Sequence, residues 1–282
     1  MFRAIHKSVA WTLASAMLAA CAVAQQADYK PHVGQQGKDV VWVPTPDEVV
    51  ERMLVMAQTK PEDFVVDLGA GDGKIAIAAA KKFGARSMGV EYNPEMVAFA
   101  QKNAQAAGVT AKARIVHGDI FTTDFTQATV LTMYLLPSLN MKLRPQILAL
   151  RPGTRVVAHA FNMEDWEPDE SSDVDGRRVY LWIVPANIAG RWAVEFAGAG
   201  GGPEKVSLNF DQKFQRIEGV AYLGSVLAGL REPRLSGFRI SFAYVDSRGV
   251  RRDFSGRVTG PAIEGSFRTD GGQEGRWTAA KK

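Results

Sequence analysis

Phe64-Val65-Val66-Asp67-Leu68-Gly69-Ala70-Gly71-Asp72-Gly73-Lys74 runs from a short apolar stretch of strand character directly into a glycine-rich turn. Ile75 to Phe83 then reads as a helix closed by Gly84. A strand, a tight glycine turn and a helix in immediate succession define one half of a βα unit. Glycine suits such a turn because it tolerates left-handed backbone angles and lets a ligand approach the main chain closely. By itself this pattern also fits an ordinary tight loop, so its neighbours decide the reading.

Working outward, Ser87 to Glu91 is a second strand, and Asn93-Pro94-Glu95 opens a helix that ends by Gly108. Further strands are expected at Arg114–Val116, Thr129–Leu135 and Arg155–Phe161, with a helix over Ser138–Leu150 interrupted at Pro145. Upstream, Thr45-Pro46-Asp47-Glu48 reads as a capping threonine, a proline at the first helical position and a capping-box glutamate. Asp175-Gly176 marks a two-residue hairpin leading into Val179–Val184. The expected fold is therefore α/β: a Rossmann-like, doubly wound, mainly parallel sheet whose last strands are antiparallel, spanning residues 43–187.

Three acids fall at the ends of successive parallel strands, where open α/β sheets bind ligands. Asp67 precedes the turn. Glu91, 24 residues later, can accept hydrogen bonds from a ribose diol, and Asp119 can accept from an adenine amine with Ile120 or Phe121 against the ring. The run Asp67 to Gly73 with Glu91 and Gly118-Asp119 resembles the cofactor motifs of class I S-adenosylmethionine-dependent methyltransferases. That resemblance implies a cofactor site of Asp67, Gly69, Gly71, Gly73, Glu91, Asp119 and Ile120. Val43-Pro44-Thr45-Pro46, Tyr134-Leu135-Leu136-Pro137-Ser138 and Gly153-Thr154-Arg155-Val156-Val157 are similar to the small protein-lysine methyltransferases of the ATP synthase c-subunit type and their bacterial relatives. The resemblance implies S-adenosyl-L-methionine as cofactor and an amine acceptor, a protein lysine being the candidate. Tyr134 and Pro137 are expected to position that acceptor, and no catalytic acid or base is assigned, because a sulfonium leaving group is already activated. Met133-Tyr134-Leu135-Leu136-Pro137 stands where amino-methylating nucleic-acid enzymes place an Asn/Asp-Pro-Pro-aromatic motif, which argues against a DNA-adenine methyltransferase, and no nucleic-acid partner is expected. A non-catalytic envelope protein that keeps the fold to bind an adenosine compound or a partner is the alternative, and a nicotinamide oxidoreductase a third. His159 reads as a structural histidine, and Asp165 to Glu170 as an acidic surface loop.

Beyond residue 187 the periodicity changes: 16 of the 27 glycines lie in residues 188–282, among stretches with strict two-residue alternation. Trp192/Val194/Phe196, Val206/Leu208/Phe210 and Phe238/Ile240/Phe242/Tyr244 are examples. About eight short strands predict a small antiparallel barrel or sandwich with a packed interior. Gly190-Arg191-Trp192 at its start and Gly275-Arg276-Trp277 at its finish resemble lipocalin-like or avidin-like barrels. This half carries a net charge of +5, against −3 for residues 25–187.

The whole chain of 282 residues holds 34 basic and 30 acidic side chains, too even a balance to point to a polyphosphate surface. One cysteine excludes intramolecular disulfides, and four scattered histidines give no metal cluster. Residues 1–24 combine Arg3, His6 and Lys7 with an apolar run and no acid, the pattern of an export signal. Ala22-Val23-Ala24 fits signal peptidase, while Leu18-Ala19-Ala20-Cys21 resembles a lipobox. Location in the periplasm or cell envelope is expected, with membrane attachment only through lipidation of Cys21. Residues 25–42 read as a polar tether.

Overall fold

The computed structural model describes residues 29–198 and 202–282, which form two β-sheets. The export signal, and with it the choice between cleavage and lipidation, lies outside the described residues.

The first sheet has seven strands in the order β3-β2-β1-β4-β5-β7-β6. β1 (Phe64–Leu68), β2 (Arg86–Glu91), β3 (Ala113–His117), β4 (Val130–Met133) and β5 (Arg155–His159) run parallel. β6 (Glu170–Val174) and β7 (Arg177–Ile183) form the antiparallel end, turning through Asp175 and Gly176 at φ 50° and 79° as the hairpin reading requires. Alternate residues of the strands face opposite layers. Val65, Val130, Val157 and Leu181 pack beneath α1 (Asp47–Met56) and α2 (Lys74–Phe83), while Val66, Leu131, Val156 and Trp182 pack against α4 (Pro137–Leu148). α3 (Pro94–Ala106) covers β2 and β3, with Asn93 Oδ1 accepting from the amides of Glu95 and Met96.

Three local expectations are corrected. α1 starts at Asp47, and Thr45 does not cap it; its hydroxyl lies 3.3 Å from His159 Nδ1. α4 runs through Pro145 without interruption, because the proline ring is on the exposed side while Leu143 and Ile147 hold the other face in the core. The segment read as a tether is packed structure from Tyr29 onward. The Gly34 amide donates to the Trp42 carbonyl and the Trp42 amide to that of Gln35, and Tyr29 meets Phe99 edge-on.

The second sheet is antiparallel, with nine strands in the order β11-β10-β9-β8-β16-β15-β14-β13-β12. Their ranges are β8 (Gly190–Ala197), β9 (Pro203–Lys213), β10 (Arg216–Leu223), β11 (Val226–Gly229), β12 (Arg231–Ser236), β13 (Arg239–Val245), β14 (Arg251–Thr259), β15 (Ala262–Thr269) and β16 (Glu274–Lys281). The first and last strands, β8 and β16, pair with each other, so the meander closes into a near-barrel interrupted only between consecutive β11 and β12. β12 escaped the alternation reading because Leu235 is its only buried side chain and Pro233 breaks the pattern. The alternating residues supply the interior, where Phe196, Phe242, Phe254, Phe267 and Trp277 interlock with ring centroids 5.0–5.8 Å apart. Trp277 lies across Gly256 and Gly265 and donates its indole N–H to the Ser255 carbonyl at 2.8 Å. A Cβ on Gly265 would fall 1.9 Å from that same carbonyl.

The acidic loop expected at Asp165–Glu170 is a joint rather than a free surface. Asp165 pairs with Arg144 and with Lys213, Glu167 pairs with Arg216, and Trp166 donates to Gln215 Oε1 while stacking on Phe214. The two sheets also meet where Phe238 covers Gly153 and Ala186 N donates to the Gly237 carbonyl.

Candidate functional site

The carboxyl ends of β1, β2 and β4 open into a cleft of about 290 Å³, roofed by residues 35–45. β1 delivers Asp67 into it, buried to 2% exposure, with Oδ1 accepting from Thr132 Oγ1 at 2.8 Å. The turn after β1 is fastened to β2, since the amides of Gly69 and Ala70 both donate to the Val90 carbonyl at 2.9 Å. Gly71, at φ 52°, has no space for a side chain, because a Cβ would lie 2.5 Å from the Trp42 indole nitrogen. Gly73 caps α2 in a left-handed conformation and backs onto Ala100 and Ile115 instead of lining the cleft.

Glu91 ends β2 and joins two segments. Its Oε2 accepts from Gly71 N at 2.9 Å and its Oε1 from Asn93 N at 2.8 Å. A carboxylate has about four acceptor positions, so two remain for a diol. Asp119 and Ile120 line the same cleft beyond β3. Asp119 accepts from Phe121 N at 2.9 Å and from Lys38 Nζ at 2.6 Å, and the Lys38 ammonium holds its pKa below the usual carboxylate range. Lys38 also lies 4.9 Å from the Tyr92 ring. The acceptor position assigned to an adenine amine is thus shared with a lysine of the roof.

Electrostatically the floor is a negative pole. Burial pushes the Asp67 carboxyl up to about 7, aided by the nearby charges of Asp72 and Glu91, although its bond from Thr132 opposes the shift. Burial also raises Asp72. No ion pair to Asp67, Asp72 or Glu91 occurs among the described residues; Lys74, whose charge opposes the rise at Asp72, forms its ion pair with Asp47. A cleft with uncompensated carboxylates, a glycine turn and a diol-ready glutamate fits a cationic nucleoside such as S-adenosylmethionine, whose ammonium and sulfonium would balance that charge.

At the opposite end the walls become aromatic and aliphatic. Tyr134 leaves the end of β4 with its ring 4.0 Å from that of His159 and stacked at 6.3 Å on Phe161. Leu136 and Leu139 line this end, whereas Pro137 does not and instead forms the first residue of α4. His159 is 3% exposed, and burial, followed by the charge of Arg177, lowers its pKa to about 4, so it is neutral at physiological pH. Val41, Val43 and Leu136 stand exposed around the mouth. Lys38, Trp42 and Phe161 were not anticipated from the sequence. The apolar run Val40-Val41-Trp42-Val43 inside a polar segment was the available signal for the roof.

Among the described residues no cluster of His, Cys, Asp and Glu could hold a metal ion, and no helix is long and apolar enough to cross a membrane.

Comparison with known proteins agrees with this geometry. A family model described as the ANTKMT methyltransferase domain matches residues 67–170. A protein-lysine N-methyltransferase of Saccharolobus islandicus is 43% identical over 162 residues, covering 55% of this chain and 96% of the relative. The mouse lysine N-methyltransferase of the ATP synthase c-subunit is 33% identical over 132 residues, 46% of this chain and 53% of that protein. A crystal structure described as an RNA methyltransferase from Salinibacter ruber, in complex with S-adenosyl-L-homocysteine, is 49% identical with a TM-score of 0.51, covering 52% of this chain and 96% of that one. With the cleft at the strand ends and a relative matched over nearly its full length, the chain belongs to the ANTKMT-type family of S-adenosyl-L-methionine-dependent methyltransferases.

Proposed function

We propose that the enzyme methylates the ε-amine of a lysine in a partner protein. The acceptor end of the cleft carries this reading: Tyr134, Phe161, Leu136 and Val43 form an apolar approach with a neutral imidazole behind it. Such walls suit the methylene stem of a lysine and disfavour a charged ammonium, so the amine would arrive with its lone pair free. The bound cofactor supplies an activated methyl group. The residues of the chain align the amine and keep water out, which is most of what an in-line displacement requires. An RNA acceptor would ask for cations along its path, whereas the exposed rim side chains Val41, Val43 and Leu136 are aliphatic. The names of the Saccharolobus and mouse relatives support the same acceptor.

Within the cofactor half, Glu91 would hold the ribose, Asp67 the amino end of the methionine, and Asp119 with Ile120 the adenine, Gly69 and Gly71 giving the backbone approach. Incubating the protein with labelled cofactor and a cell-envelope extract, then hydrolysing the products, should yield methyl-lysine. Label recovered in RNA, or none in protein, would overturn the assignment.

The basic and apolar character of residues 1–24 supports export to the periplasm or envelope, so the acceptor is expected there. Mass spectrometry of the mature N-terminus distinguishes cleavage after Ala24 from a lipidated Cys21, and an intact Met1 would remove the export reading.

A further inference from the structure

The outer face of the barrel carries a row of five residues in direct cross-strand register: Arg234 on β12, Ser241 on β13, Ser255 on β14, Ser266 on β15 and Arg276 on β16. Solvent-facing sheet positions usually bear long side chains. Here three adjacent serines replace them, the hydroxyls of Ser255 and Ser266 lying 3.2 Å apart. Longer side chains stand on both sides of this low line: Arg239 and Arg257 in the neighbouring register toward the β12–β13 hairpin, and Asp253, Arg268 and Glu274 in the other. The result is a continuous trough with a serine floor.

Its charges are available for a ligand. Arg234, Arg239, Arg257, Arg268 and Arg276 are all exposed, and none forms an ion pair with a carboxylate among the described residues. Arg251, nearby, is by contrast paired with Asp253 and Glu232. The spacing selects the kind of anion. Four strand-to-strand steps separate Arg234 from Arg276, about 19 Å at the usual ~4.8 Å per step, too far for one small ion to reach both. A chain lying across the strands reaches both ends.

We propose that this trough binds a linear acidic polysaccharide, with carboxylates on the guanidinium groups and sugar hydroxyls on the serine row. The mixture of charges favours that occupant. Glu264 and Glu274 stand exposed beside the arginines and would accept from the hydroxyls that every sugar of a polysaccharide offers, whereas a nucleic-acid backbone presents them chiefly with phosphate oxygens, which cannot donate. Arg257 covers the face of Phe238 at 3.6 Å, and the serine floor offers no open ring on which bases could stack. No large apolar side chain is exposed among the residues of the trough, as insertion into a lipid surface would require.

The test uses the full chain and its Arg234→Gln/Arg276→Gln variant in calorimetry or affinity electrophoresis with polygalacturonate. Neutral dextran, monomeric galacturonate, a single-stranded oligonucleotide and phosphatidylglycerol vesicles serve as the other ligands. The polymer should bind more tightly than all four, and the double substitution should weaken it at least tenfold while methyl transfer is unchanged. Ser255→Trp, which fills the floor without removing a charge, should abolish binding as well. Absence of polymer binding, equal binding by both variants, binding of monomer as tight as polymer, or stronger binding of oligonucleotide or vesicles would each overturn the proposal.

Discussion

At the scale of the residue, Glu91 carries the clearest expectation. Each of its oxygens already accepts one backbone amide, so it is pre-oriented before any ligand arrives. Charge-assisted hydrogen bonds contribute roughly 1.5–3 kcal/mol each, and Glu91→Ala should weaken cofactor binding by about 10- to 100-fold in calorimetry. Asp67 makes binding depend on pH. Its carboxyl titrates near 7 in the fold, and a cationic ligand favours the ionised form. Cofactor affinity should therefore rise as pH increases through about 7, with proton release on binding below that value, and Asp67→Asn should flatten the profile. The same raised pKa has the opposite sign for stability. The contribution of Asp67 is fully present below its unfolded value near 3.9 and is lost as pH climbs through about 7. These acids were legible in the sequence because spacing after a glycine turn reports strand ends directly. Lys38 was not, since nothing local links it to Asp119, 81 residues away.

At the scale of the element, the roof over the cleft has the largest consequence. Trp42 covers Gly71 and Lys38 reaches Asp119, so a bound cofactor would lie beneath a segment with few buried side chains of its own. Trp42→Ala should raise the cofactor dissociation rate by about tenfold while leaving association nearly unchanged, measured by stopped-flow fluorescence. The regular elements followed from periodicity: β1, α2 and β2 lie within a residue or so of expectation. Elements held mainly by long-range contact did not. The roof has no repeat to detect, and β12 is a strand by virtue of pairing with β13. Thr45 shows the same limit, because a helix-capping residue type was taken up by a buried partner on β5.

At the scale of the whole molecule, the two sheets share a joint built of charge pairs around an aromatic stack. Phe214 lies on Trp166 with centroids 5.6 Å apart, and Gln215 bonds both the Trp166 indole and the Glu167 carbonyl. The joint continues into the wall of the cleft proposed to receive the methyl acceptor, since Phe161 and Trp166 belong to the same short connection after β5. Phe214→Ala should remove roughly 2 kcal/mol, about half the cost of emptying a fully buried phenylalanine site. Calorimetry is expected to resolve one unfolding transition in the parent and two in the variant. Alternation and glycine content foretold a barrel or sandwich with a filled interior, but the seam where two surfaces meet leaves no mark on either pattern.

The break between β11 and β12 gives the barrel a preferred point of failure. β11 is only four residues long and is bonded along one side alone, to β10. Its amides should take up deuterium well before those of β8 and β16, which are flanked on both sides. A protease or a pulling force would meet the molecule at that same place, peeling the wall open from its shortest stave.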